Sequence, residues 1–156
     1  MDKCFIPAIK TSTRSFTLVE LIIVVIIVGI LASLGLTQYS LLVEKSRTAE
    51  AKVGLGVMRD IAYEYYLNNG DMSTITNADV GVSNVCTADS FYSYRLWGTS
   101  TFVNLHAERC TSGGKNPNAS RTYDFGLQFT PGTGATTWYC DYPDNGSGCF
   151  GLPAGI

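Results

Sequence analysis

The chain has 156 residues, a formal net charge of −2 and five cysteines, a length that suits about one domain. Charge is unevenly divided, because residues 71–156 carry seven acidic side chains and only four basic ones. Proteins that bind nucleic acid through bulk charge neutralise phosphates with Lys and Arg, so this balance argues against a nucleic-acid partner.

The first predicted segment, residues 1–15, is polar and basic and contains no apolar run. An apolar run follows over residues 16–36, and its only charged residue is Glu20. As a helix this run would be about 30 Å long, which is the thickness of a bilayer's hydrocarbon core. We therefore expect a single membrane span, with the basic residues keeping the preceding end in the cytoplasm.

The helical pattern continues through residues 37–69, where no proline occurs between Gln38 and Asn68. Charged side chains cluster along this stretch, as in Glu44/Lys45/Arg47 and Glu50/Lys52. Apolar residues recur every three or four positions and mark one helical face, formed by Ala51, Leu55, Met58, Ala62 and Tyr65. The Asn68-Asn69-Gly70 sequence predicts the end of the helix, since Asn and Gly tolerate the left-handed conformation that closes helices.

After Gly70 the pattern changes to short segments rich in aromatic and β-branched residues, separated by turn-forming residues. The predicted strands are Phe91–Trp97, Thr101–Ala107, Thr122–Phe129 and Thr136–Tyr142. We expect an α+β fold in which a long N-terminal helix packs against a small antiparallel sheet. Residues 70–156 would form the globular head.

Four of the cysteines lie in the head, whereas Cys4 lies alone near the start. Four cysteines in a small, loop-rich region predict two disulfides and an oxidising compartment, although sequence alone permits three connectivities. Short local loops favour Cys86–Cys110 together with Cys140–Cys149. A zinc site is the alternative, and the lack of a C-x-x-C pair argues against it. We expect no cofactor.

Glu20 is the residue that most needs an explanation. A carboxylate in an apolar membrane segment costs about 2.5–3.5 kcal/mol at the centre of the span, and less near its edge. A charge kept at that cost is by default a functional residue with a partner, and snorkelling to the headgroups is the alternative.

The segment Arg14-Ser15-Phe16-Thr17-Leu18-Val19-Glu20-Leu21 resembles the prepilin processing motif of type IV pilins and type II secretion pseudopilins. The resemblance implies that a membrane peptidase cuts the Ser15–Phe16 bond and that the new Phe16 amine is methylated. It also implies that Glu20 pairs with the Phe16 amine of a neighbouring subunit during filament assembly. The chain would then be a structural subunit of a type IV pilus or a type II secretion pseudopilus.

The same resemblance implies the partners and the location. The partners would be further copies or related subunits, the prepilin peptidase and methylase, and an assembly platform in the bacterial inner membrane. The head would be periplasmic before assembly into the pilus or pseudopilus. Two positions depart from the family pattern, because Ser15 replaces the usual Gly before the cut and Thr37 replaces a frequent proline.

Two alternative hypotheses, in which the protein forms no filament, remain open. A secretory signal peptide would be cut after the small-residue site Ser33-Leu34-Gly35, which would leave a secreted domain starting near Leu36. A monomeric single-pass protein whose head binds a ligand is the other. Neither a secreted domain nor a monomeric single-pass protein would form the filaments that a pilin forms, so visible filaments would exclude both.

Catalysis and metal binding have little support in the sequence. His106 is the only histidine, and no acid or serine motif is spaced to match it, so we expect a surface or half-buried side chain and no enzyme. The oxygen-rich segment after Cys140 contains Asp141 and Asp144, which are weak calcium candidates. A turn closed by the adjacent cysteines explains that segment without a metal.

Overall fold

The computed structural model describes residues 16–119, 122–141 and 149–150. One long helix is followed by a four-stranded antiparallel sheet in the order β1-β2-β3-β4. The elements are α1 (Leu18–Asn69), β1 (Tyr92–Gly98), β2 (Val103–Arg109), β3 (Asp124–Thr130) and β4 (Ala135–Asp141). The α+β fold expected from the sequence is confirmed, and the strands begin and end within two residues of their predicted bounds.

Both ends of α1 follow from local chemistry. The helix begins at Leu18 rather than at Phe16, because the Thr17 hydroxyl accepts a 3.2 Å hydrogen bond from the Glu20 N–H and so caps the first turn. It ends at Asn69, where Gly70 has a φ of +74° and donates its N–H to the Tyr66 carbonyl at 2.7 Å. A glycine in this left-handed conformation is a common helix terminator, as the sequence predicted.

The chain divides into two compact units, residues 1–42 and residues 43–156. The second unit contains the part of α1 from Val43 onward together with the sheet. Along this part of α1, the predicted apolar face is buried: Ala51, Leu55 and Ala62 are fully covered and Met58 is 1% exposed. These side chains share one core with the inner face of the sheet, which contributes Val103, Leu105, Ala107, Phe125, Leu127 and Phe129.

The irregular segment between Gly70 and β1 covers the outer edge of β1. The Leu96 N–H donates to the Asn77 side-chain oxygen at 3.0 Å, and the Tyr94 N–H donates to the Ser83 carbonyl at 3.0 Å. Edge strands otherwise present unpaired backbone groups that invite pairing with another chain. This segment therefore provides acceptors for backbone N–H groups at the edge of the sheet without forming a strand of its own.

A close backbone approach at Gly98, the last residue of β1, generates a first prediction. A Cβ atom there would overlap the Met72 carbonyl oxygen and crowd the Ile75 side chain, and both residues are buried. Since a backbone atom cannot rotate away, Gly98→Ala should lower the free energy of unfolding by about 1–3 kcal/mol, the usual cost of overpacking. Denaturation of the full chain in detergent micelles, followed by circular dichroism, measures this loss.

Gly132→Ala is the matched control, because its nearest heavy atom would be the Tyr66 hydroxyl at 3.8 Å. Equal stability of the two variants would contradict the close packing of β1 on the segment around Met72.

Candidate functional site

Phe16 and Glu20 lie at the start of α1, and Phe16 is 75% exposed. The Thr17 backbone N–H and hydroxyl donate to one Glu20 carboxylate oxygen at 2.9 and 2.8 Å, while the Glu20 N–H donates back to the Thr17 hydroxyl. This reciprocal pair is a capping box, which satisfies backbone N–H groups that the first turn leaves unpaired. Glu20 thus has a local structural role besides any role in assembly. Ser15 lies outside the described residues.

The first half of α1 is apolar and exposed all round. Its most apolar 18-residue window has a mean hydropathy of 2.8, and none of that window is buried, so the helix is long and apolar enough to cross a membrane. The large apolar side chains from Leu18 to Leu36 range from 48% to 71% exposed. Such a surface is stable only against lipid or against other apolar helices, because water disfavours apolar patches of this size.

A second carboxylate of α1, Glu44, is buried in the head at 5% exposure. It accepts hydrogen bonds from Arg109 at 3.2 and 3.3 Å and from the Tyr123 hydroxyl at 3.0 Å. Asn118 and Arg47 also donate to it, at 3.2 and 2.6 Å. Every lone-pair direction of this carboxylate has a donor nearby, which is the condition for a buried charge to be tolerated.

Arg109, at 1% exposure, is the largest fully buried side chain of the described residues. Besides Glu44, its guanidinium donates to the carbonyl oxygens of Phe91, Cys110 and Asn116 at 3.0, 3.1 and 2.7 Å. Through its ion pair with Glu44 and these carbonyl contacts, Arg109 therefore connects α1, the end of β2 and the loop that follows β2. Its role is to position these elements, since none of its donors is open to a ligand.

The electrostatics of this cluster follow from burial and hydrogen bonding. Burial opposes ionisation of Glu44, but the hydrogen bonds from Arg109 and Tyr123 outweigh it and lower the pKa of the carboxyl. Burial is also the largest cause that raises the pKa of Tyr92 to about 12, and it raises the pKa of Tyr123 as well. Both phenols thus stay neutral, and Tyr92 shares a 2.9 Å hydrogen bond with Tyr123.

His106 is buried at 6% exposure, so the expected surface or half-buried position is wrong. Its Nδ1 lies 2.8 Å from an Asp124 carboxylate oxygen, and its Nε2 lies 3.2 Å from the Tyr139 hydroxyl. The cause lies in Gly126, which is opposite His106 in the sheet and whose missing side chain leaves room for the Tyr139 ring. Both ring nitrogens of His106 therefore have a partner, whereas the other carboxylate oxygen of Asp124, Oδ1, is buried without a hydrogen-bond partner among the described residues.

Two cysteine pairs are joined in the structure. Cys86 is bonded to Cys110 with their Cα atoms 5.8 Å apart, and Cys140 is bonded to Cys149 with a Cα separation of 5.7 Å. The first bond attaches the irregular segment before β1 to the end of β2. Peptide mapping of the unreduced protein would test the connectivity, which stays a prediction.

Comparison with known proteins addresses the N-terminal segment directly. Residues 10–36 match the family model described as a prokaryotic N-terminal methylation motif. Over 74 residues the chain is 36% identical to a fimbrial protein of Neisseria meningitidis serogroup A. This aligned segment covers 47% of this chain and 43% of that protein. It is also 36% identical over 74 residues to the type IV major pilin protein PilE1 of Neisseria gonorrhoeae, covering 47% and 44%.

A longer match extends into the head. The chain is 28% identical over 132 residues to the fimbrial protein EcpC of Eikenella corrodens. This alignment covers 85% of this chain and 84% of that protein. These matches support a type IV pilin family for this chain. The segment that matches the Neisseria meningitidis fimbrial protein spans 43% of the length of that protein.

The calcium candidates expected from the sequence fall at the edge of what the structure describes. Asp141 is the last residue of β4, and Asp144 lies outside the described residues. Among residues 16–119, 122–140 and 149–150, no three His, Cys, Asp or Glu side chains come together in a way that could hold a metal ion.

Sequence reasoning missed three interactions, of which two had a signal in the sequence. The Thr17–Glu20 spacing is the pattern of a capping box. Glu44 and Thr48 continue the buried helical face seven and three residues before Ala51, and that periodicity predicts a buried carboxylate in need of a cation. The His106 network had no such signal, because Asp124 and Tyr139 are 18 and 33 residues away along the chain.

The Glu44 cluster generates a second prediction. Glu44→Gln keeps the shape but leaves Arg109 as a buried, unpaired cation, so it should lower the free energy of unfolding by about 3–5 kcal/mol near pH 7. The pKa of Glu44 is lowered in the folded state, so its contribution is complete above the ordinary Glu pKa of about 4.3 and is lost as pH falls below it. The gap between the wild type and the variant should therefore narrow below about pH 4.3.

Urea denaturation of the full chain in micelles at several pH values measures both effects. Glu64→Gln, which neutralises an exposed carboxylate of the same helix, is the control and should cost less than about 0.5 kcal/mol. A Glu44→Gln variant as stable as this control would contradict the role of the buried pair.

Proposed function

We propose that this chain is a structural subunit of a type IV pilus, made as a precursor and polymerised through the first half of α1. The observation that carries the proposal is the exposed apolar helix that starts just after Phe16, with Glu20 in its first turn. This helix lies within the segment that matches the methylation motif, residues 10–36. The names of the relatives, fimbrial protein and type IV major pilin, favour a pilus over a secretion pseudopilus.

Processing would create the charge that Glu20 needs. A cut between Ser15 and Phe16 removes the basic leader, residues 1–15, and exposes a cationic amine at Phe16. When apolar helices bundle, this amine and the Glu20 carboxylate of a neighbouring subunit enter a medium of low dielectric constant. An unpaired charge there costs about 3–5 kcal/mol, so pairing the two groups specifies the register while the apolar surfaces supply cohesion.

The capping box and the intersubunit pair are compatible. Both hydrogen bonds from Thr17 reach the same carboxylate oxygen, Oε2 of Glu20. A carboxylate offers about four lone-pair sites, so its other oxygen can accept from an amine while the cap stays in place. The cap would hold the Glu20 side chain at the helix start and reduce the entropy lost on pairing.

The proposed organisation follows the boundaries expected from the sequence. Residues 1–15 form the leader, 16–36 the membrane and assembly segment, 37–69 the amphipathic half of the helix, and 70–156 the head with its disulfides. Before assembly the subunit would span the bacterial inner membrane with its head in the periplasm. Its partners would be the prepilin peptidase and methylase, the assembly platform and further pilin subunits. No catalytic role is part of the proposal.

A third prediction concerns processing. The protein purified from its native membrane should begin at an N-methylated Phe16, because Ser15 is small enough to replace glycine at the cut. Intact mass measurement and N-terminal sequencing provide the test. A chain that starts near Leu36 would indicate a secreted head instead, and a chain that keeps Met1 would indicate an uncleaved anchor.

A fourth prediction separates the two roles of Glu20. Glutamine can replace glutamate in a capping box but carries no charge. If pairing with the amine drives assembly, Glu20→Gln and Glu20→Ala should both insert in the membrane, and both should yield few filaments. Electron microscopy of sheared pili, with immunoblots of membrane and pilus fractions, measures the outcome.

Val24→Ala, an apolar truncation in the same helix, is the control and should assemble normally. Normal filaments from Glu20→Gln but not from Glu20→Ala would assign Glu20 to capping alone and overturn the pairing role.

A further inference from the structure

A hollow of about 420 Å³ lies at one end of the sheet, where β1 begins and β2 ends. Its walls come from residues 84–86 of the irregular segment before β1, from the two strands, and from residues 111–113 of the loop that follows β2. Sites for small molecules commonly have volumes of about 300–1,000 Å³, so the hollow is large enough for a small ligand.

Ser93 and Glu108 form the part of the wall that the strands contribute. They lie directly opposite each other in the antiparallel ladder of β1 and β2. The adjacent strand residues Tyr92 and Ala107 are buried in the core of the head. Successive side chains of a strand point to opposite faces, so Ser93 and Glu108 extend from the other face of the sheet. Opposed side chains have Cβ atoms about 4.5–5.5 Å apart, which brings a hydroxyl and a carboxylate together in the hollow.

Both of these polar groups have acceptor positions to spare. Ser93 is only 8% exposed, and its hydroxyl has no hydrogen-bond partner among the described residues. The Glu108 carboxylate lies 3.9 Å from the Arg95 guanidinium, which is beyond hydrogen-bond distance. Arg95 instead donates to Asp124 at 2.8 Å. A buried hydroxyl without a partner opposes folding, and a ligand that bonds to it removes this penalty.

The charge of the hollow favours a cation. Arg109 also borders the hollow, but its guanidinium is bonded to Glu44 and to three carbonyl oxygens of the head. Among the described residues of the lining, the charge of Glu108 is therefore the one left without a close counterion. A metal ion does not fit, because no three metal-ligating side chains of residues 16–119, 122–140 and 149–150 come together. An ammonium group fits, since its three N–H donors can reach both a carboxylate and a hydroxyl.

The remaining wall suits an alkyl chain. Val85 is 63% exposed and lines the hollow together with Cys86 and Cys110, which are joined in a disulfide. Methylene groups laid against this apolar surface would remove it from water, which is favourable.

The walls are also held in place without a ligand. The disulfide attaches the segment before β1 to the end of β2, and the Lys115 N–H donates to the Ser90 carbonyl at 2.8 Å. Gly113 has a φ of +69°, and a Cβ atom there would lie 3.6 Å from the Cys86 carbonyl oxygen, so the loop packs closely on the segment. A preformed site of this kind loses little conformational entropy on binding.

We propose that this hollow binds a primary alkylammonium group, the chemistry shared by a lysine side chain and a free alkylamine. The ammonium donates to the Glu108 carboxylate and to the Ser93 hydroxyl, while the alkyl chain covers Val85 and the disulfide. The Ser93 hydroxyl then accepts from the ligand and keeps its own hydrogen for Glu108. This binding site is additional to the proposed structural function and does not depend on assembly, because every residue of the lining belongs to one head.

The test is a titration of the full, processed, isotope-labelled chain in zwitterionic micelles with butylammonium chloride, followed by nuclear magnetic resonance. The backbone amide signals of Ser93, Glu108 and Gly113 should shift together and saturate. Butyltrimethylammonium has the same charge and alkyl chain but no N–H donor. It should bind at least about tenfold more weakly, the factor expected for lost hydrogen bonds to a charged group.

Three variants connect the binding to these residues. Glu108→Gln removes the counterion and should weaken butylammonium binding at least about tenfold. Ser93→Ala removes one acceptor and should weaken it by a smaller factor, about threefold. Glu64→Gln neutralises an exposed carboxylate that does not line the hollow and should leave the affinity unchanged. Circular dichroism confirms that each variant is folded.

Carbodiimide treatment of assembled filaments separates the two sources of the ammonium group. A direct cross-link between Glu108 and a lysine of a neighbouring subunit would identify that lysine as the occupant. Binding of butylammonium by the dispersed chain without such a cross-link would assign the hollow to a free amine, and both results support the proposal.

Three results of the titration would overturn it: no saturable shift at millimolar amine, equal binding of the trimethylated analogue, or undiminished binding by Glu108→Gln. A chain that forms no filaments would contradict the proposed function instead, and the titration of the dispersed chain would still decide this inference.

Discussion

The ion pair between Glu44 and Arg109 is the interaction on which the described head depends. The two residues are 65 positions apart, and no disulfide among the described residues connects α1 to the sheet. A guanidinium that is 1% exposed requires both its carboxylate and its three carbonyl partners, or its burial would oppose folding. The apolar contacts around Leu55 and Met58 supply cohesion, but they permit sliding. The ion pair has one geometry, so it specifies which turn of α1 meets β2.

Glu20 and Glu44, two of the carboxylates of α1, differ in how many of their acceptor positions are used within the subunit. Glu44 is satisfied within the subunit by Arg109, Tyr123, Asn118 and Arg47, which leaves it no capacity for a partner. Glu20 is bonded only to Thr17 in the described residues, through one of its two oxygens. The contrast explains why Glu44 positions elements of the head, while Glu20 keeps one carboxylate oxygen for the intersubunit pairing that we propose.

The extent to which sequence predicts this molecule depends on the distance between interacting residues. The helix, its end at Gly70 and the four strands follow from periodicity and turn residues, which are local properties, and they agree with the structure within two residues. The capping box at Thr17 and the burial of Glu44 were also encoded locally, the first by spacing and the second by helical phase. By contrast, the partners of His106 come from two later strands, and their approach depends on Gly126 lying opposite the histidine. Side-chain networks of that kind depend on strand register, which a single sequence does not specify.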